Sequence, residues 1–329
     1  MTDDNYDAFA GVPEEFDFFK EIYSRDIQPG LAAKEDERLE AVKHARQFTL
    51  YGVGAGVAAA AIGFFAAGSP IGAFIGVVIG LGLHSFGRAP MQRLGKEAKL
   101  LIVNQVAEGF SLKYDATPPA PPLISRFRNL DLVPSWDRSD FEDELRGQRG
   151  DTSFEFFEAH LEQRRTTSDS RGRTRTRWVT VFRGQCLVVD FHKDFRGLTK
   201  VYRDAGLFNA FKGIGNSLER VRLEDPVFER AFEVYSDDQV EARFLLTPDF
   251  MERLLELERV FHGGKLLCAF SGGEMFVCVE GGDLFEPGSL FTPLDNPERI
   301  RELLQDFAAV FGLIDAVSER RGAPPKATS

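Results

Sequence analysis

Cysteine is scarce in this 329-residue chain. There are three, an odd number, so no disulfide framework is expected. Histidine (five), methionine (four) and tryptophan (two) are sparse as well. Basic residues are in deficit: 40 Lys and Arg stand against 51 Asp and Glu, a net charge of -11. That balance argues against a general attraction to nucleic acid or anionic lipid and leaves room for a local basic patch only. The opening stretch, Met1 to Asp7, is acidic and lacks the basic and apolar regions of a signal peptide. Four catalytic or nucleotide-binding patterns are missing: Gly-x-x-x-x-Gly-Lys-Ser/Thr, His-Glu-x-x-His, Cys-x-x-Cys and Gly-x-Ser-x-Gly. Gly213-Ile-Gly215-Asn-Ser217 is glycine-rich but has no Lys and reads as a loop. No pattern calls for a cofactor or a metal, and the missing signatures lower the expectation of catalysis. With 43% hydrophobic and 28% charged residues, the chain is neither disordered nor fibrous.

The most informative absence is local. From Gln47 to Gly87 there is no Asp, Glu, Lys or Arg. One helical crossing of a bilayer needs about 20 apolar residues, and this run is long enough for two. Gly68-Ser69-Pro70 marks a break in its middle. The expectation is a transmembrane helical hairpin over residues 47–88, with helices from about Gln47 to Ala67 and Ile71 to Gly87. Gly52 and Gly56 are four apart, as are Gly72, Gly76 and Gly80. Small residues at that spacing let helix backbones approach closely in lipid, within the hairpin or in a dimer. A buried soluble helix pair or a loose Gly/Ala linker is the less favoured reading. Arg38, Lys43 and Arg46 precede the run, and Arg88, Arg93, Lys96 and Lys99 follow it. Basic flanks on both sides place both termini on the cytoplasmic side of the inner membrane.

Around this hairpin, residues 1–46 read as cytosolic helices. Phe16, Phe19, Tyr23 and Ile27 give a short amphipathic helix that Gln28-Pro29-Gly30 is expected to end. Residues 89–113 form a stalk helix opened by Pro90, and residues 114–122 a Pro-rich linker. The two cytosolic helices pair as an antiparallel stalk or lie on the bilayer surface; pairing is the favoured arrangement.

Residues 123–321 carry strand patterns, and residues 322–329 form a tail. Expected strands are Thr152 to Arg165, Trp178 to Phe182 and Cys186 to Phe191, with a turn at Arg183-Gly184-Gln185. Further pairs are Phe232 to Ser236 with Val240 to Leu246, and Lys265 to Phe270 with Met275 to Val279 around Gly272-Gly273. Helices are expected from Thr247-Pro248 to Gly263 and from Asp295-Asn296-Pro297 onward. The fold class is therefore α+β: a mostly antiparallel sheet with a long C-terminal helix.

Val234-Tyr-Ser-Asp-Asp-Gln-Val-Glu-Ala-Arg243, Leu245-Leu-Thr-Pro248 and Met251-Glu-Arg-Leu254 resemble the bacterial domain-of-unknown-function family number 3137. Glu158-Ala-His-Leu161, Val188-Val-Asp-Phe191 and Leu223-Glu-Asp-Pro226 resemble it too. The resemblance implies a membrane-anchored bacterial protein and brings no catalytic residue with it.

The loop from Arg164 to Arg177 is the candidate ligand site. Arg171, Arg173, Arg175 and Arg177 alternate, so an extended chain puts all four on one face, suited to phosphates or lipid head groups. A solvated loop that discourages edge pairing is the plainer reading. Glu158, His160 and Glu162 also alternate; a polar outer face is favoured over a metal site. For Asp237, Asp238, Glu241 and Arg243, turn chemistry and a cross-strand ion pair are favoured over catalysis. Cys268 and Cys278 fall on opposite faces if the Gly272-Gly273 turn has two residues, and free thiols are expected. The chain reads as a binding or adaptor module at the inner membrane. Its expected partners are membrane lipid and another membrane or cytosolic protein, not nucleic acid; a homo-oligomer is a further option. The alternatives are a sensor of anionic lipid or a phospholigand, or an enzyme with no readable motif.

Overall fold

The computed structural model describes residue 9 and residues 11–67, 71–168, 174–191, 193–203, 218–260, 265–286 and 288–318. The Gly68-Ser69-Pro70 break, Arg171, Arg173, the Gly213–Ser217 run, Gly263 and the 322–329 tail lie outside them. Two compact units are present: Met1–Gly109 with Phe285–Asp306, and Phe110–Leu284 with Phe307–Ser329.

The first unit is helical. Pro13 precedes a short 3-10 turn, Glu14–Phe16, followed by α1 (Phe18–Ile22), a π turn (Tyr23–Ile27) and α2 (Gln28–Ala33). Phe16, Phe19, Ile27 and Leu31 are buried, as their spacing requires. The helix does not stop at Gln28-Pro29-Gly30, as the sequence reading expected. Pro29 sits in the first turn of α2, where its missing N–H has no intrahelical partner to lose. Gly30 lies where a Cβ would stand 3.4 Å from the Leu101 side chain.

α3 (Glu35–Ala67) and α4 (Ile71–Gly109) are long and pack antiparallel. α4 runs unbroken through Pro90, which was expected to open a separate stalk helix. Glycine sets the spacing of the pair. A Cβ on Gly52 would lie 2.8 Å from Gly80 O, and one on Gly76 would lie 2.5 Å from Gly56 O. One on Gly72 would lie 2.5 Å from Gly63 Cα. The five glycines singled out in the sequence thus stand on the contact between α3 and α4. Leu50, Val57, Phe65, Phe74, Leu81 and Phe86 point outward and are exposed. Among the described residues, one helix, Gly72–Gly109, is long and apolar enough to cross a membrane. Below the apolar stretch, Lys34 pairs with Glu97 at 2.6 Å, and Arg93 joins the same carboxylate at 2.9 Å. The 285–306 segment is tied in by buried Arg38, whose Nη1 donates to Leu290 O at 3.0 Å while Nε and Nη2 hold Glu35. Phe285 N donates to Asp306 at 2.8 Å, and burial pushes that carboxyl up to about 6.

The second unit is a nine-stranded antiparallel sheet. Its strands are β1 (Lys113–Asp115), β2 (Arg138–Arg149), β3 (Thr152–Ser168), β4 (Thr174–Asp190), β5 (Thr199–Arg203), β6 (Glu219–Val221), β7 (Phe232–Ser236), β8 (Leu266–Ser271) and β9 (Glu274–Glu280). They lie in the order β1-β2-β3-β4-β9-β8-β5-β7-β6. One face buries Phe157, Leu161, Phe182, Cys186, Phe276 and Cys278 under Ile124 and Phe127 of α5 (Ile124–Asn129). A four-residue helix, α6 (Phe228–Ala231), leads into β7. The C-terminal helix α9 (Pro297–Ser318) is held through its second half, where Arg149 grips Asp315 at 2.5–2.6 Å and lies 4.4 Å from the Phe311 ring centroid.

Two sequence expectations change here. Val240 to Leu246 is not a strand but lies in or beside α7 (Gln239–Leu245), because Asp238 caps that helix, accepting from Val240 N and Glu241 N at 2.9 Å. α8 (Pro248–Val260) follows at once. Arg183-Gly184-Gln185 is no turn: β4 runs straight through it. Gly184 has φ +151°, and a Cβ there would collide with Val279 O on the neighbouring strand. β1 and β2 carried no clear alternation of their own; β2 gains its place by pairing with β3, and β1 by pairing with β2. The Gly272-Gly273 hairpin is as read, with φ of +64° and +82°.

Gly76→Ala is expected to destabilise the α3–α4 pair by about 1–3 kcal/mol, because backbone has to move. Gly82→Ala, with nothing within 4 Å of the added carbon, is the control and is expected to leave the thermal midpoint unchanged or slightly raised. Equal midpoints for the two variants would remove the glycine argument.

Candidate functional site

The chemistry that the sheet assembles lies where β2, β3 and β4 run side by side. Glu158 on β3 is opposite Glu142 on β2 and Gln185 on β4. Two residues along, His160 is opposite Asp140 and Arg183. Alternation puts both rows on one face. A cavity of about 60 Å³ opens there, lined by Asp140, Glu142, Glu158, His160, Arg183 and Asp283.

Glu158 forms its buried side. Its Oε1 accepts from Leu284 N at 2.6 Å and Gln185 Nε2 at 3.3 Å. Its Oε2 is buried with no hydrogen-bond partner. Burial pushes the carboxyl up to about 9, and the nearby Asp143 and Asp283 push the same way against the two donated hydrogen bonds. The side chain is therefore a neutral acid at pH 7. Arg183 does not neutralise it, being bidentate to Asp283, with Nε to Oδ1 at 2.9 Å. His160 Nε2 is 2.9 Å from Thr180 Oγ1. The segment after β9 is latched to this corner, since Gln185 also donates to Gly282 O at 2.6 Å and Gly281 N to Arg183 O at 3.1 Å.

Beside it, the β2–β3 register slips between Glu142 and Leu145. The bulge leaves Asp143 buried at φ +54°, a left-handed conformation that Asp tolerates better than most residues. Tyr114 on β1 donates its hydroxyl to Asp143 at 2.5 Å. Burial, chiefly, holds that phenol well above its ordinary titration range, so it stays a donor. The arrangement sets a buried acid, with one carboxyl oxygen unpartnered, beside an acid-lined cavity.

The residues named from sequence are distributed more widely. Arg175 and Arg177 lie exposed on β4 where β3 and β4 continue as a two-stranded ribbon past the pairing with β2 and β9. Arg177 is directly opposite Arg165, and Arg175 is opposite Thr167. Arg171 and Arg173 fall outside the described residues. Glu162 is engaged by Arg138, so Glu158, His160 and Glu162 have three separate sets of partners. Among the described residues no three His, Cys, Asp or Glu side chains are grouped to hold a metal ion. Asp237 and Glu241 bind loop backbone: Leu198 N to Asp237 at 2.8 Å, and Arg196 N and Gly197 N to Glu241 at 2.9 and 2.7 Å. Arg243 bonds Gln239 O at 2.8 Å, in place of the expected cross-strand ion pair. All three cysteines are free and buried. Cys278 is adjacent to Cys186, at 3.8 Å between sulfurs, with Cys268 on the other face of the sheet. Burial raises the Cys268 and Cys278 thiols, which disfavours thiolate chemistry. From the sequence, Glu158 reads as part of a polar outer strand face in preference to a metal site, within the family-like Glu158–Leu161 stretch. Asp143, Tyr114 and Asp283 had no local signal, because a bulge and two loops bring them together.

Residues 180–318 match the family model described as a protein of unknown function, DUF3137. The match includes the Val234–Leu254 stretch, which forms β7, α7 and most of α8. Glu158, on β3, lies before it. No curated protein matches the chain. A solved structure, the crystal structure of the mycobacterial trehalose monomycolate transport factor A, TtfA, is similar over 69% of this chain and 99% of that one. Identity is 9% and the TM-score 0.34, a likeness on which no argument is built.

Glu158 binds a proton in the folded chain between its unfolded value near 4.5 and about 9. Over that window the folded state holds more protons than the unfolded one, so stability falls as pH rises. Glu158→Gln is expected to flatten the pH 5–9 dependence of the unfolding midpoint and to be the more stable form above pH 9. Parallel profiles for the native chain and the variant would refute the assignment.

Proposed function

We propose that this chain is an integral membrane protein anchored by α3 and α4 as a two-crossing hairpin, with the sheet unit a binding or adaptor module at the inner membrane. The observation that carries the anchor is the outer surface of the helix pair. Large apolar side chains from Leu50 to Phe86 are exposed while glycine faces glycine within the pair. In water such a belt is unfavourable; in lipid it is the solvated surface. At its basic end a groove of about 410 Å³ is lined by Leu50, Val53 and Phe291 together with Arg46, Arg88 and His84, a composition suited to the head-group level. Both termini are then cytoplasmic, and the partner is a membrane or cytosolic protein held at the bilayer.

The chain is expected to stay in the membrane pellet after alkaline carbonate extraction. A Cys at Ser69 should label with impermeant maleimide from the periplasmic side and one at Ser329 only after lysis, because the native thiols are buried. Release by carbonate, or the reverse labelling, would sink the hairpin.

A second reading, recognition of anionic lipid or a phospholigand by the ribbon, is favoured by one observation. Arg165 and Arg177 are directly opposed, with Arg175 on the same face and no acidic partner among the described residues. Like charges set opposite each other destabilise a ladder unless an anion lies between them. Changing Arg165, Arg175 and Arg177 to Ala is expected to weaken inositol hexakisphosphate binding to the detergent-solubilised chain by about tenfold or more at low salt. Binding that is equal in the variant, or insensitive to salt, would remove this reading.

A further inference from the structure

We propose that the groove lined by Arg46 and Arg88 binds one anionic phospholipid of the cytoplasmic leaflet, with its phosphate held by the two guanidinium groups. The proposal rests on the hairpin reading of α3 and α4 and names the lipid class that the hairpin selects.

Arg46 and Arg88 flank the charge-free run, and the antiparallel packing of α3 on α4 brings them to one groove. Gly87 lets the helices close up at this level, since a Cβ on it would collide with Phe48. The groove measures about 410 Å³, the size of a small-molecule site. Among the described residues neither arginine has an acidic partner. Two unpaired like charges on one groove repel each other, and an anion between them removes that repulsion. A guanidinium donates two parallel hydrogen bonds to a phosphate, and basic pockets between membrane helices on the cytoplasmic side suit lipid head groups.

The walls favour a phosphate that carries acyl chains. Leu50, Val53 and Phe291 line the same groove, and all three are exposed. Leu50 and Val53 belong to the outer apolar belt of the hairpin, so chains leaving the groove follow an apolar path. Phe291 is positioned by the bond from Arg38 to the neighbouring Leu290 O. The polar wall is fixed as well. Thr49 donates its hydroxyl to Ala45 O at 2.8 Å, so in the 3.0 Å contact between Thr49 Oγ1 and His84 Nδ1 the ring is the donor. A free phosphate would leave the apolar wall in water, whereas a phospholipid covers it.

The charge of the head group follows from what the lining lacks. No Asp or Glu lines this groove. A choline or ethanolamine head would set a cation beside two arginines with no carboxylate to receive it. A head without an amine avoids that conflict. The other side of the helix pair differs: a groove of about 1050 Å³ there is lined by Glu37, Glu40 and Glu97 as well as Lys43 and Arg93. Unopposed positive charge therefore stands on one side of the pair at this level.

The test is native mass spectrometry of the full chain in a mild detergent, titrated with phosphatidylglycerol or with phosphatidylcholine of the same chains. The expected result is one retained phosphatidylglycerol, a preference of about tenfold or more over phosphatidylcholine, and loss of that preference when Arg46 and Arg88 are both changed to Ala. Changing Lys43 and Arg93 to Ala removes the same charge from the other side and is expected to keep the preference. Equal retention of the two lipids by the native chain would overturn the proposal, and that comparison holds even if the arginine variant fails to fold. Equal loss in the Lys43 and Arg93 variant would overturn it too, by reducing the effect to net charge. Glycerophosphoglycerol, the head group without chains, is expected not to displace the lipid; displacement would overturn the lipid as occupant. Carbonate release of the chain with the lipid preference intact would overturn the anchor alone. Retention in the pellet without the preference would overturn this site alone.

Discussion

The antiparallel ladder between β3 and β4 is the constraint on which the sheet unit depends. Pairing runs from Phe154 with Val189 to Ser168 with Thr174, with one irregularity after Leu161. Every other strand is placed through it, β2 and β1 from one side and β9 and the rest from the other. Because side chains alternate, the same register sends Phe157, Leu161 and Cys186 into the core and Glu158, His160 and Gln185 to the opposite face. A slip of one residue would exchange the two sets. Gly184 protects this register by letting β4 pass close to Val279 without a side chain in the way.

The helical unit rests on a different kind of contact. Its long helices approach until backbone meets backbone at Gly52 and Gly80 and at Gly56 and Gly76. Such packing spends no large side chain on the contact and leaves Leu, Val, Ile and Phe for the outside. In water that distribution is inverted. Ion pairs among Lys34, Arg93 and Glu97 lie beyond the charge-free stretch.

Much of the architecture was readable from local pattern. The Gly272-Gly273 hairpin, the helix begun by Pro248 and the apolar face of α9 each follow from a few neighbouring residues. Errors arose where two local signals competed. Val240 to Leu246 has strand-forming residues, yet Asp238 satisfies two backbone donors and starts a helix instead. Gly184 looked like a turn because glycine serves turns and close approaches alike. Pro29 and Pro90 looked like breaks, but one sits in a first turn and the other is carried by a helix packed along its length. The candidate site was legible only in its spacing. Glu158 and His160 were visibly two apart, but nothing near them in sequence indicated that one would be buried and the other engaged by Thr180.

By itself the sequence determined the charge-free run, the glycine spacing, the basic flanks and the α+β class. All of these are properties of composition and period, which act over one or two turns of helix or a few residues of strand. Only the tertiary structure decided which carboxyl would be neutral. The burial of Glu158 is produced jointly by β2, β3, β4 and the Leu284 loop, residues separated by as many as 126 positions in the chain. Desolvation depends on everything that closes around a group, and no local pattern encodes that sum.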